Sequence, residues 1–136
     1  MVESPIIRHF LACEEIVISS EGDRYTLTNL IHAIRPLPGF DYPRIQPLVC
    51  LFALMTNGRG VHSFQIELVR GVGAREETVY ATPVRQYDLG SDPLAVLGLP
   101  IRIENVPFLS AGQYEFRFLC DNRIVARVPL ELREAR

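Results

Sequence analysis

Turn-forming residues cut this chain into short apolar runs, and that spacing constrains its fold more than any other feature. Ten prolines and nine glycines are spread along 136 residues. Between them lie runs rich in Val, Ile, Leu, Phe and Tyr. Proline fixes φ and lacks an N–H, and glycine accepts positive φ, so this punctuation opposes long helices and favours strands joined by turns. The expected fold is all-β: an antiparallel β-sandwich, immunoglobulin-like in shape, of about eight strands. No linker, repeat or low-complexity tract divides the chain, so residues 1–136 read as one domain. A chain of this length buries roughly two-thirds of its unfolded surface, enough for a core without disulfides or metal.

The strands can be placed by period. The first covers Ile6–Cys13 and extends towards Ile18. A polar cluster at Ser19–Asp23 turns the chain into a second strand over Arg24–Ile34. Pro36, Pro38, Gly39 and Pro43 then block regular pairing. The run Leu48–Met55 is apolar on both parities, which predicts a central strand covered on both faces, a buried helix being the competing reading. Val61–Arg70 alternates, with Phe64, Ile66 and Leu68 inward. Glu77–Gln86 contains Pro83 and reads as an edge strand. At most one short helix is expected, near residues 92–98, with Ser91 or Asp92 as cap and Leu94, Val96 and Leu97 closing one end of the core. A strand over Leu99–Asn105 follows.

The last hairpin carries a register argument. Tyr114, Phe116, Phe118 and Cys120 share one face, and Ile124, Ala126, Val128, Leu130 and Leu132 share another. Both sets are even-numbered, so a plain two-residue loop would set one apolar face against the other strand's polar face. Either a three-residue loop, Asp121-Asn122-Arg123, or a compensating bulge is required. The same register sets Arg117 opposite Arg127, an unfavourable like-charge pair unless Glu115, Glu104 or Glu131 lies diagonally between them.

The chemistry-bearing residues point to no reaction. Net charge is −2 and no lysine occurs, so the basic stripe of a nucleic-acid module is missing. Cys13, Cys50 and Cys120 are widely spaced among apolar neighbours, which reads as reduced core thiols in a cytoplasmic protein. No basic, apolar leader and no membrane-spanning run is present. His9, His32 and His62 form no metal-ligand motif, and Asp88–Asp92 does not match a calcium loop. No catalytic residue, cofactor or metal site is therefore assigned, and an enzymatic reading would need His9, His32, His62, Asp88 and Asp92 to converge in space. Two surfaces remain. Phe40, Tyr42 and Arg44 could form a ligand loop, although the aromatics read more simply as a lid on the core. Arg102, Arg117 and Arg127 could form a patch for an acidic partner, although interleaved glutamates favour a solvated ion-pair lattice.

Two segments carry a resemblance. Phe10-Leu11-Ala12-Cys13-Glu14-Glu15 lies near the start, and Ser110-Ala111-Gly112-Gln113-Tyr114-Glu115-Phe116 opens the last hairpin, followed by Asp121-Asn122 and Val128-Pro129-Leu130. In order and spacing the chain resembles a family of small uncharacterised bacterial β-sandwich domains. That family has an early Ala-Cys-Asp/Glu run and a late Pro-Gly-x-Tyr-x-Phe hairpin, where this chain has Ala111 in place of the proline. The resemblance implies the fold and no activity. The expected function is a non-enzymatic interaction or scaffold module, binding a protein partner or a second copy through an edge strand. The alternative is a module for a carbohydrate or polar metabolite, using residues 36–44. Neither nucleic acid nor membrane is expected as a partner.

Overall fold

The computed structural model describes residues 2–36, 38–39, 42–71 and 75–134. Its elements are β1 (Ile6–Ile18), β2 (Tyr25–Leu30), β3 (Ala33–Ile34), β4 (Arg44–Thr56), β5 (Val61–Arg70), β6 (Glu77–Ala81), β7 (Arg85–Asp88), β8 (Leu97–Phe108), β9 (Gly112–Cys120) and β10 (Arg123–Leu132). They form two packed sheets. One is ordered β2-β1-β4-β8; the other is β3-β10-β9-β5-β6, with β7 also on β5. The fold is an all-β sandwich, as the punctuation predicts.

The strand β4 behaves as its composition requires. It pairs with β1 on one side and β8 on the other. Val49, Leu51, Ala53 and Met55 enter the core between the sheets, with Phe64, Ile66 and Leu68 of β5 and Phe116 and Phe118 of β9. Cys50 and Phe52 lie in a second buried cluster with Cys13 and Ile16 of β1. That cluster needs a cover, and Tyr25 supplies one from the edge strand β2. Its ring packs on Phe52 with centroids 4.7 Å apart, and its hydroxyl donates to the Gly98 carbonyl on β8 at 3.1 Å. A Cβ on residue 98 would collide with that ring, so only glycine fits.

Ten strands appear among the described residues where about eight were expected, because two runs break. The run Arg24–Ile34 kinks where Asn29 adopts positive φ. Residues 25–30 stay on β1, while β3 crosses to the other sheet and runs parallel to β10. The run Glu77–Gln86 breaks around Pro83 into β6 and β7, both on the edge against β5.

The one short helix allowed near 92–98 does not form, and the core-closing role expected of Leu94 and Val96 is a correction. Residues 92–95 make a single turn: the Leu94 N–H donates to Asp92 Oδ1 at 2.9 Å and the Ala95 N–H to the Asp92 carbonyl at 3.2 Å. Leu94 and Val96 are exposed at 82% and 62%, so they close no part of the core. An isolated helical turn fixes several residues for one hydrogen bond, whereas extending β8 back to Leu97 gains a ladder against Met55.

In the last hairpin the bulge, not the longer loop, satisfies the parity rule. Cys120 pairs with Arg123 across a two-residue turn, and a shift between Ile124 and Ala126 restores Phe118 opposite Ala126. Arg117 faces Arg127 as expected. Glu115 lies between them, 2.6 Å from Arg117 Nε and 3.8 Å from an Arg127 terminal nitrogen. Glu76 adds a second carboxylate 2.8 Å from Arg117.

Asp121 and Asn122 carry φ of 50° and 65°, the conformation of a type I′ turn, in which both central residues have positive φ. Asn122→Val should therefore lower stability by about 1 kcal/mol, while Asn122→Gly should leave it unchanged or raise it, measured by urea unfolding.

Candidate functional site

Three places combine accessible surface with polar chemistry. The first is a cleft of about 870 Å³ where the chain leaves β2, crosses to β3 and returns as β4. Leu30, Ile31, Ile34 and Ile45 supply apolar wall, and Arg35 and Arg44 supply charge. Asn29 Nδ2 donates to Glu14 Oε2 at 2.9 Å and Arg35 to the Glu134 carbonyl at 3.0 Å. Arg44 donates through one terminal nitrogen to Gln46 Oε1 at 2.8 Å, while its buried Nε has no partner.

The structure separates the residues expected to form a ligand loop. Arg44 lines the cleft. Tyr42 packs against the main core and its hydroxyl donates to the Arg133 carbonyl at 2.8 Å. Phe40 lies outside the described residues.

The second place is the free side of β8. This strand has 12 residues, pairs only with β4 in its sheet, and faces the β6/β7 edge of the opposite sheet across a cleft of about 410 Å³. Phe64, Ile66, Tyr80, Tyr87 and Leu99 line it, with Arg85 and Arg102 among its charged residues. Of the three arginines expected to form one patch, only Arg102 is here. Arg117 and Arg127 stand on the other sheet, held by Glu115 and Glu76.

The third place was not legible as a motif. His62 on β5, Cys120 at the end of β9 and Asp121 in the following turn bring their ligand atoms within 4.8 Å of one another. The imidazole is 1% exposed, yet both its nitrogens are bonded: Nδ1 to Asp121 Oδ2 at 2.7 Å and Nε2 to the Arg59 carbonyl at 2.8 Å. A carboxylate and a carbonyl can only accept, so both ring nitrogens carry protons and His62 is an imidazolium ion-paired with Asp121. Burial pulls the His62 pKa down, but the bonds to Asp121 and Arg59 outweigh it and the net shift is upward. The Ser63 N–H, donating to Asp121 Oδ1 at 2.9 Å, and then His62 hold the Asp121 carboxyl below its ordinary range.

Cys120 Sγ lies 3.7 Å from His62 Nδ1. Burial, followed by the nearby Asp121 charge, pushes its thiol up to about 11. Nδ1 already serves Asp121, and Nε2 serves Arg59. The thiol thus has no free base beside it, and this is not the geometry of an activated nucleophile. The sequence showed only that His62 shares the inward parity of Phe64; the register that pairs Phe64 with Cys120, and so sets the following turn beside His62, is a feature of the folded sheet.

The remaining polar candidates do not converge. His9 is on β1 opposite Leu54, and His32 lies between β2 and β3. Asp88 Oδ1 accepts from the Gly90 N–H, and Asp92 caps its turn. None of the clefts described holds two of His9, His32, His62, Asp88 and Asp92. All three cysteines are buried free thiols. No helix among the described residues is long and apolar enough to cross a membrane.

The ion pair makes stability depend on pH from both sides. The Asp121 contribution is present above its unfolded value near 3.8 and is lost as pH falls through its depressed folded value. The His62 contribution is present below its unfolded value near 6.5 and is lost as pH rises through its raised folded value. With a chelator present, the urea midpoint should be highest between these limits and decline on both sides. In Asp121→Asn the decline on the alkaline side should shrink.

A family model described as a family of unknown function, DUF6941, matches residues 9–133. A search of the curated proteins gives no match.

Proposed function

This chain belongs to DUF6941, and we propose that it is a protein-interaction module that takes an extended segment of a partner protein along β8. The supporting observation is the free side of β8 itself. β8 has one neighbour in its sheet among the described residues, and between Pro100 and Asn105, where no proline removes an N–H, its free side presents unpaired backbone N–H and C=O groups, so a short segment added there gains main-chain hydrogen bonds. The adjacent cleft gives alternate side chains of that segment an apolar seat against Leu99, Tyr80 and Tyr87. Arg85 and Arg102 outweigh Glu104 at the same cleft and favour a segment that carries acidic residues between its apolar ones. On this reading Arg117 and Arg127 take no part, because Glu115 and Glu76 already neutralise them.

The test is selection of binders from a library of displayed extended peptides, followed by calorimetry on variants. Arg102→Glu should weaken the selected peptides about tenfold, a change of about 1.4 kcal/mol, and Tyr87→Lys should do the same. Arg127→Glu, on the other sheet, should leave affinity within about twofold, because exposed charges remote from a contact contribute little. Equal effects from Arg102→Glu and Arg127→Glu would sink the β8 assignment.

A second reading, the binding of a polar metabolite, is favoured by one observation: Arg44 lines the larger cleft, and among the described residues its guanidinium is hydrogen-bonded to a side chain through one terminal nitrogen, to Gln46. A guanidinium with donors to spare suits a carboxylate or sugar hydroxyls. A ligand acting there should raise the melting temperature of the wild type and not of Arg44→Gln, as read in a thermal-shift screen.

A further inference from the structure

We propose that His62 Nδ1, Cys120 Sγ and Asp121 Oδ2 form a three-ligand site for one thiophilic divalent cation of the zinc class. The site is independent of the β8 surface. The three atoms stand 3.7 Å (N to S), 3.8 Å (S to O) and 2.7 Å (N to O) apart. A triangle with these edges has a circumradius of about 2.0 Å, so a point just off its plane lies at zinc–nitrogen, zinc–oxygen and zinc–sulfur bond lengths from all three. The two edges to sulfur already have the separation of ligands around a tetrahedral ion, and only the N–O edge must widen.

The surroundings of each ligand match what a metal site requires. A coordinating imidazole donates its other N–H to a carbonyl or carboxylate, which fixes the tautomer. Here Nε2 donates to the Arg59 carbonyl at 2.8 Å, leaving Nδ1 for the metal. The loop that presents this carbonyl is tied to the N-terminal segment by backbone hydrogen bonds in both directions between Glu3 and Arg59, at 3.1 and 3.0 Å. Asp121 uses Oδ1 for the Ser63 N–H at 2.9 Å, and its Oδ2, which accepts from His62 Nδ1 at 2.7 Å, turns to the ion once that ring proton leaves. His62 and Cys120 sit on the paired strands β5 and β9 and Asp121 in the tight turn from β9 to β10, so little besides the N–O edge has to move when an ion arrives.

Charge also balances. Without metal the cluster holds an imidazolium, a carboxylate and a neutral thiol. On binding, the Nδ1 proton and the Cys120 thiol proton leave to solvent, and a dication then faces a neutral imidazole, a thiolate and a carboxylate. The net charge of the buried cluster is zero in both states, so the ion enters without adding uncompensated charge to the interior. A thiolate with an imidazole selects zinc, cobalt or cadmium over magnesium or calcium. The Asp121 side chain is 45% exposed, which gives the ion a route from solvent and leaves a fourth position for water.

The test uses the full chain, freed of metal and kept reduced with a phosphine. Co²⁺ is added and the thiolate-to-cobalt charge-transfer absorption is followed. One equivalent should produce the band, and Zn²⁺ should abolish it. The band should persist in the Cys13→Ser/Cys50→Ser double variant and vanish in Cys120→Ser. Asp121→Asn retains a residue suited to the turn, as circular dichroism should show, and should weaken Co²⁺ binding at least about tenfold. Absence of the band from the wild type would overturn the proposal without reference to any variant. So would a band that survives Cys120→Ser and disappears when Cys13 and Cys50 are replaced.

Discussion

Burial of β4 on both faces is the constraint from which the rest of this sandwich follows. A strand with Val49, Leu51, Ala53 and Met55 on one face and Cys50 and Phe52 on the other cannot lie at the surface of either sheet. It must be paired on both sides, and β1 and β8 do this. It must also be covered twice. The second sheet covers the inner face, and Tyr25 reaching from β2 to Gly98 helps cover the outer one. The outer cover explains why glycine is needed at residue 98, where any Cβ would strike the ring. Each buried aliphatic or aromatic side chain contributes about 1.5–3 kcal/mol, so the rows on β4 outweigh the weak local preferences of the segments around them.

The parity of β9 and β10 has consequences well beyond the hairpin. A bulge between Ile124 and Ala126 lets the strands join through a two-residue turn and still keep Phe116 and Phe118 on the core side with Leu130. The short turn places Asp121 directly after the buried Cys120 and within hydrogen-bonding distance of His62. With a three-residue loop the chain would leave β9 differently, and the carboxylate would have no fixed relation to the imidazole. The same register brings Arg117 and Arg127 together, and Glu115 and Glu76 answer that repulsion. Packing on one face of the hairpin thereby fixes the electrostatics on the other face and at its tip.

The two sheets leave different borders. On one side β5 carries both β6 and β7, short pieces separated at Pro83, which limits continuous pairing along that edge. On the facing side β8 stays one strand of 12 residues, although Pro100 and Pro107 lack an N–H and Asn105 carries a φ of 56°. A long strand opposite a broken one produces the cleft on which the interaction reading rests. The larger cleft arises elsewhere, from the crossing of the chain between sheets after Asn29, and Arg44 enters its wall because β4 begins there. Membership of DUF6941 covers nearly all of these elements and assigns a role to none of them.

Much of the fold was legible because strand periodicity is local. The bounds of β5, the doubly covered β4, the edge position of the Pro83 run and the need for an odd residue in the last hairpin all follow from which side chains alternate and where proline interrupts. The break of residues 24–34 between two sheets was not legible, because a kink at Asn29 is decided by which neighbours each half finds. Whether the segment near 92–98 would form its one allowed helix was open for the same reason: capping residues favour a first turn, but pairing with β4 takes the chain into β8. The sequence by itself determined that this chain makes short strands with two apolar faces to hide, since that depends on covalent restraint and side-chain alternation. Only the tertiary structure decided that Arg102 stands apart from Arg117 and Arg127, and that His62, Cys120 and Asp121 meet. Those distances run between strands far apart in the chain, and they are set by register and sheet order, which no local pattern encodes.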